Sequence, residues 1–171
     1  MGEEIRIYVA DLAAYNNGVL HGVWIDAARE VEDIFAAINK MLEVSPEEDS
    51  EEFAIHDYEG FGAVHISEYQ GIESVHEIAL FIEEYPALGA EVLNYYGGNL
   101  NDAREALEEH YTGCYSSLAD YAQEWTENTS DVPESLPYYI DYEAMGRDFE
   151  MGGDIFTIET AQDEVHVFWA H

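Results

Sequence analysis

Lysine is nearly missing from this sequence. Lys40 stands alone, and with four arginines it faces 38 aspartates and glutamates, a formal net charge of −33 at neutral pH. That balance argues against direct binding of nucleic acid, which needs a basic footprint. Cysteine is as scarce: a single Cys114, read as a small, partly buried residue, excludes an intrachain disulfide and a cysteine-based zinc site. Long apolar runs are lacking, so no segment approaches the roughly 20 residues of a membrane span. The opening MGEEIRIYVADL has neither the basic start nor the apolar run of a signal peptide, and the cytoplasm is the expected location. H-E-x-x-H, G-x-S-x-G and Walker signatures do not occur, nor does any internal repeat or low-complexity segment.

What is present is core material. Hydrophobic residues make up 47% of the chain, with 13 Tyr, 7 Phe and 3 Trp, too much for a solvated disordered chain. The acid is no tail, which would gather its charge at one end. Residues 1–60, 61–110 and 111–171 carry net charges of −12, −9 and −12 by count. Folding therefore proceeds against self-repulsion along the whole chain.

Periodicity predicts an α+β chain. Residues 4–12 alternate around Ile5, Ile7 and Val9 as a strand, and Asn17-Gly18 signals a turn into a return strand over 19–26. Residues 30–43 form an amphipathic helix with Val31, Ile34, Phe35, Ile38 and Leu42 inward, and 53–58 a third strand after an acidic loop. Helices follow over 73–85, 87–96 and 101–111, the first broken by Pro86 and the second closed by Gly97-Gly98. A short strand over 112–116, a helix over 117–128 and a terminal hairpin of 154–159 with 164–169 complete the reading.

Opposite the apolar faces run rows of carboxylates: Glu73, Glu77 and Glu84, then Asp102, Glu105 and Glu109, then Asp120, Glu124 and Glu127. An ordinary surface helix answers each glutamate with a lysine four residues on, worth a few tenths of a kcal/mol. This chain forgoes that almost everywhere. Residues four apart on a helix rise about 6 Å, the same order as the spacing of phosphates on one DNA strand, which advance about 3.4 Å along the axis. At one charge per about 1.7 Å of duplex, 33 charges match roughly 16 base pairs. Residues 136–150 read as one more helix, opened by Pro137. It places Tyr138, Tyr142, Met145 and Phe149 on one face and Leu136, Ile140 and Ala144 on another. Asp141 with Asp148, and Glu143 with Glu150, line the edges between them, and Arg147 is its one base.

Chemistry beyond charge is thin. Glu73-x-x-His76 has di-iron spacing, but a bundle needs a second such pair and two more glutamates. Asp163-x-x-His166 falls in a hairpin, and His56 to Glu59 and Glu108 to His110 stand isolated, so neither metal nor cofactor is expected. With 38 carboxylates a glycosidase-like pair can be drawn anywhere, which makes it uninformative. Three readings use the charge: a DNA mimic, an acidic binding module or chaperone for a basic DNA-binding protein, and a halophilic enzyme. Against the last, Glu outnumbers Asp 26 to 12 and no catalytic signature accompanies the acid.

Three blocks then add up. YVADLAAYNNGVLHGVWID near the start, DYEGF at 57–61 and VPESLPYYIDYEAMGRDFE near the end resemble the ArdA antirestriction proteins, in the order that family has them. Between about 62 and 110 the likeness is one of helical, acidic character. The resemblance implies a non-enzymatic inhibitor of type I restriction–modification enzymes, carried by mobile genetic elements, whose surface carboxylates imitate bent B-form DNA. It implies occupation of the DNA-binding groove formed by the specificity and modification subunits, blocking restriction more readily than modification. It further implies an elongated, curved chain of three small domains: a β-rich N-terminal one (1–61), a helical middle one (62–111) and an α+β C-terminal one (112–171). The last pairs two copies into a homodimer. On that reading the face bearing Tyr138, Tyr142, Met145 and Phe149 lies near the dimer seam.

Overall fold

The computed structural model describes residues 4–170, which divide into two units, one ending at Leu100 and the other starting at Asn101. The fold is mixed α+β with two three-stranded sheets. In the first unit β1 (Arg6–Asp11) is the middle strand, with Ile7 and Val9 fully buried, and β2 (Gly22–Asp26) and β3 (Phe53–Glu59) pair antiparallel on either side. β2 and β3 therefore run parallel to each other, and the helix between them makes a split β-α-β crossover. That helix, α2 (Val31–Glu43), buries Ile34, Ile38 and Met41 and half-buries Val31, Phe35 and Leu42.

The turn at Asn17-Gly18 closes a helix, not a tight hairpin. α1 (Leu12–Asn16) intervenes because Asp11 caps it, its Oδ1 accepting from the Ala14 N–H at 3.3 Å. Gly18, at φ +81°, then turns the chain so that the Val19 N–H reaches the Ala14 carbonyl at 2.9 Å. Asp11 is fully buried and also takes a short hydrogen bond from Ser50, which fastens the acidic loop to the sheet. Burial pushes this carboxyl up, but Ser45, Ser50 and the Ala14 and Ala13 amides outweigh it and hold it below its ordinary value. A depressed carboxylate stabilises the fold above its unfolded pKa and loses that contribution as pH falls through the folded one. Asp11→Ala is expected to cost about 2 kcal/mol at pH 7, from a lost cap and orphaned buried donors. In urea unfolding the gap between variant and parent should narrow below pH 4. A gap that is the same at pH 3 and pH 7 would deny the carboxylate this role.

α3 (Ile72–Glu84) and α4 (Gly89–Tyr95) belong to the same unit. α3 turns Val75, Ile78, Ala79 and Ile82 inward as its spacing predicts, with Phe81 beside them. His76 Nδ1 lies 2.9 Å from the Ala27 carbonyl, which ties α3 to the start of the crossover. The connection after β3 buries Phe61, Val64 and Ile66, and the Ile55 N–H donates to the Glu68 carbonyl at 2.9 Å.

α5 (Leu100–Glu105) spans the boundary and does not continue to residue 111 as an α-helix. It widens into a π-helical turn, Ala106–His110, and β4 (Tyr111–Tyr115) begins at once. β5 (Ile155–Ala161) and β6 (Glu164–Trp169) form the expected hairpin, and the second sheet is ordered β4-β6-β5. Val165 and Val167 on β6 share one face with Ile155, where they pack with Tyr121 of α6 (Leu118–Thr129). Phe156, Ile158, His166 and Phe168 lie on the other face, and the Phe156 and Phe168 rings stack at 4.8 Å.

α7 starts later than its periodicity suggests. It runs Tyr142–Met151, and the expected opening at Pro137 is only a 3-10 turn, Pro137–Tyr139. Two cap signals compete here, and Asp141 wins: its Oδ1 accepts from the Ala144 N–H at 3.0 Å, while Ile140 is extended at φ −92°, ψ 125°. Tyr138, 93% exposed, is thus off the face that carries Tyr142, Met145 and Phe149. α7 lies close against α6 at Gly146, where an added Cβ would meet Leu118 Cγ at 2.9 Å. Among the described residues no helix is long and apolar enough to cross a membrane.

Candidate functional site

An acidic surface emerges helix by helix. On α3 the face opposite its buried row leaves Glu73, Glu77 and Glu84 exposed. In the second unit Asp102, Glu105 and Glu109 are exposed on α5 and the π-turn, and Asp120, Glu124 and Glu127 on α6. Asp141, Glu143, Asp148 and Glu150 are exposed along α7 and its cap.

How these carboxylates are braced bears on what they do. Gln123 Nε2 donates to Glu127 Oε1 at 3.0 Å, Thr157 Oγ1 donates to Glu150 Oε2 at 2.5 Å, and Asp141 takes a backbone N–H. Burial pushes the Tyr115 phenol up to about 12, and its hydrogen bond to Glu124 adds to the rise. Each of these donors is neutral, so it fixes direction without cancelling charge. A lysine or arginine in its place would have done both. Bases do work elsewhere: Arg6 meets Glu59 at 2.8 Å with its guanidinium 4.8 Å from the centre of the Trp24 ring.

The π-turn changes the geometry of one row. Five residues on from Glu105, His110 would leave that face on an α-helix, but the wider turn brings it round. Ligand-type atoms of Glu105, Glu109 and His110 lie within 4.8 Å of one another, and His110 Nε2 stands 3.8 Å from Glu105 Oε1. Among the described residues these are the three side chains grouped tightly enough to hold a cation, and both glutamates are exposed. Sequence reasoning saw His110 only as part of an isolated Glu108-to-His110 run, because a π-turn leaves no periodicity of its own. The other histidine pairings do not form sites. His76 is turned to the Ala27 carbonyl, His56 meets Glu68 at 3.3 Å, and both ring nitrogens of His166 are engaged. His171 lies outside the described residues.

Of the four residues assigned to a dimer seam, Phe149 packs inside its own unit, 5.0 Å from the Trp125 ring and 6.2 Å from Tyr121. Met145 Sδ lies 3.2 Å from Thr126 Oγ1 of α6, and Tyr142 is half-buried. Tyr138 projects into solvent, as do two residues that helical spacing did not single out, Tyr139 and Met151, 84% and 83% exposed. Cys114 is exposed, not partly buried, because it sits on β4, an edge strand of its sheet.

A family model described as antirestriction protein (ArdA) matches residues 7–164 of the chain. No curated protein matches it.

Proposed function

The chain belongs to the ArdA antirestriction family, matched over residues 7–164 of 171, and from that premise we propose that it blocks type I restriction–modification enzymes by standing in for DNA. Its function is antirestriction. The observation that supports mimicry is the set of exposed carboxylates on α3, α5, α6 and α7, among which Glu127, Asp141 and Glu150 are held by neutral donors. A basic groove built for phosphates meets dense negative charge there, and no chemistry is required of the inhibitor. The target is the methyltransferase core of specificity and modification subunits, and the acting form is a homodimer paired through residues 112–171. Tyr138, Tyr139 and Met151 are the most exposed large apolar groups of that region.

Affinity of this kind is dominated by counterions and falls steeply with salt. Binding to a purified type I methyltransferase core, followed by displacement of fluorescent DNA, is expected to weaken about 100-fold or more between 50 and 200 mM salt. If saturating protein at low salt leaves DNA on the methyltransferase, mimicry is wrong. Tight binding to a nucleoid protein in the same assay, with none to the methyltransferase, would favour an acidic chaperone.

A further inference from the structure

His166 stands on β6, the middle strand of the second sheet, and is 9% exposed. Across the ladder it faces Cys114 on β4 and Ile158 on β5. Three hydrogen bonds determine which atoms donate. Thr160 Oγ1 gives its one proton to Glu164 Oε2 at 2.9 Å, since an ionised carboxylate has none to give. Thr160 therefore accepts from His166 Nε2–H at 2.9 Å. Nε2 holds the ring proton, so Nδ1 presents a lone pair, and the Tyr111 hydroxyl donates to it at 2.8 Å. The chain runs one way, Tyr111 to His166 to Thr160 to Glu164, and it joins all three strands.

A second ring proton must enter at Nδ1, where the Tyr111 hydroxyl hydrogen already points, so protonation forces that hydroxyl to turn away and places a charge on a side chain shielded from water. We propose that His166 is a proton-sensitive latch that holds edge strand β4 onto the second sheet at neutral pH and releases it on acidification. β4 is the strand that yields, for three reasons. It is paired on one side only, its register slips between Tyr111 and Gly113, and Gly113 sits at φ +141°. β5 and β6 are joined by a tight turn and stay together.

The surrounding charges fit this assignment. Tyr111 and Cys114 face His166 from β4 and Glu164 from its own strand, while β5 offers Ile158 and Thr160, which do not titrate. The π-turn packs on β4 and β6 with Glu108, Glu109 and His110, and α6 brings Asp120 and Glu124 to the opposite face. Burial lowers the imidazole below the usual histidine value, and Glu164 opposes that only in part. A histidine lowered in the fold contributes stability in full above its ordinary pKa, and that contribution is lost as pH falls towards the folded value. Release of β4 also frees the π-turn just before it, and with it the placement of Glu105 and Glu109.

Amide hydrogen exchange on the full chain between pH 7.5 and 5, corrected for intrinsic rates, tests the latch. Opening of Tyr111–Tyr115 should rise by up to about tenfold per pH unit below the ordinary histidine range, with the β5–β6 hairpin and the first sheet lagging behind. His166→Gln should flatten that dependence. Tyr111→Phe, which removes the competing hydroxyl proton, should move the His166 midpoint upward in an imidazole NMR titration. In the parent protein the same NMR should find the proton on Nε2. An Nδ1–H tautomer, β4 exchange that does not respond to pH, or an unchanged response in a folded His166→Gln variant would each overturn the proposal. Should that variant fail to fold, the tautomer and the exchange of the parent decide it.

Discussion

Gly60→Ala is expected to destabilise the first unit by about 3–5 kcal/mol, from a strained backbone plus a clash between main chains. Gly60 sits at φ +83°, where an L side chain costs about 1–2 kcal/mol by itself. An added Cβ would meet the Glu4 carbonyl oxygen at 2.5 Å and Ile5 Cα at 2.9 Å. Both are backbone atoms, so no rotamer change relieves the contact. Either the chain after β3 lifts away or the run into β1 moves, and Ile5 and Ile7 there are buried. In a unit of about 100 residues such a loss lowers the melting temperature by roughly 15 °C or more. Gly71→Ala is the control, because nothing lies within 4 Å of its added Cβ. Urea unfolding that places both variants within 1 kcal/mol of the parent would contradict this account.

Gly60 lies in DYEGF, one of the three blocks by which the sequence resembles its family. That block is a packing device. Phe61 is buried, the Tyr58 ring meets it edge-on at 5.8 Å, and the Tyr58 hydroxyl pairs with His65 Nδ1 at 3.1 Å. A motif can thus identify a family through its packing. The function proposed above rests on the exposed carboxylates, which form no motif. They were legible only as a pattern of what fails to accompany them, lysine four residues on.

Apolar periodicity carried the rest of the legible fold. α2, α3, α6 and both sheets follow from rows such as Val75, Ile78, Ala79 and Ile82, whose spacing admits one face. It failed where two local signals compete or where the period itself changes. Pro137 and Asp141 each open a helix convincingly, and only the capping hydrogen bond to Ala144 decides between them. At 106–110 the α-helical period slips to a π-turn as the chain enters β4, a choice made by packing against β6 that no window of sequence contains. The exposure of Cys114 is not legible from its neighbours, because it depends on strand order, β4 being at the edge.

Neutralising six carboxylates of the second unit together is expected to cost about 100-fold in affinity for the proposed methyltransferase target. The set is Asp102→Asn, Glu105→Gln, Glu109→Gln, Asp120→Asn, Glu124→Gln and Glu127→Gln. It takes the net charge from −33 to −27. An exposed ion pair contributes about 0.5 kcal/mol, so any one change lowers affinity about twofold and hides in the error. Six together approach 3 kcal/mol, about two powers of ten. Misfolding is excluded by the sign of a second measurement. Removing like charges relieves self-repulsion, so the sixfold variant should melt no lower than the parent while it binds more weakly. The salt dependence of its binding should also be shallower, because fewer charges take part. A contact made by shape or by apolar groups gives the opposite pair of results, undiminished affinity and an unaltered salt slope. That outcome would move the site away from α5 and α6, and the exposed Tyr138, Tyr139 and Met151 would be the next surface to test.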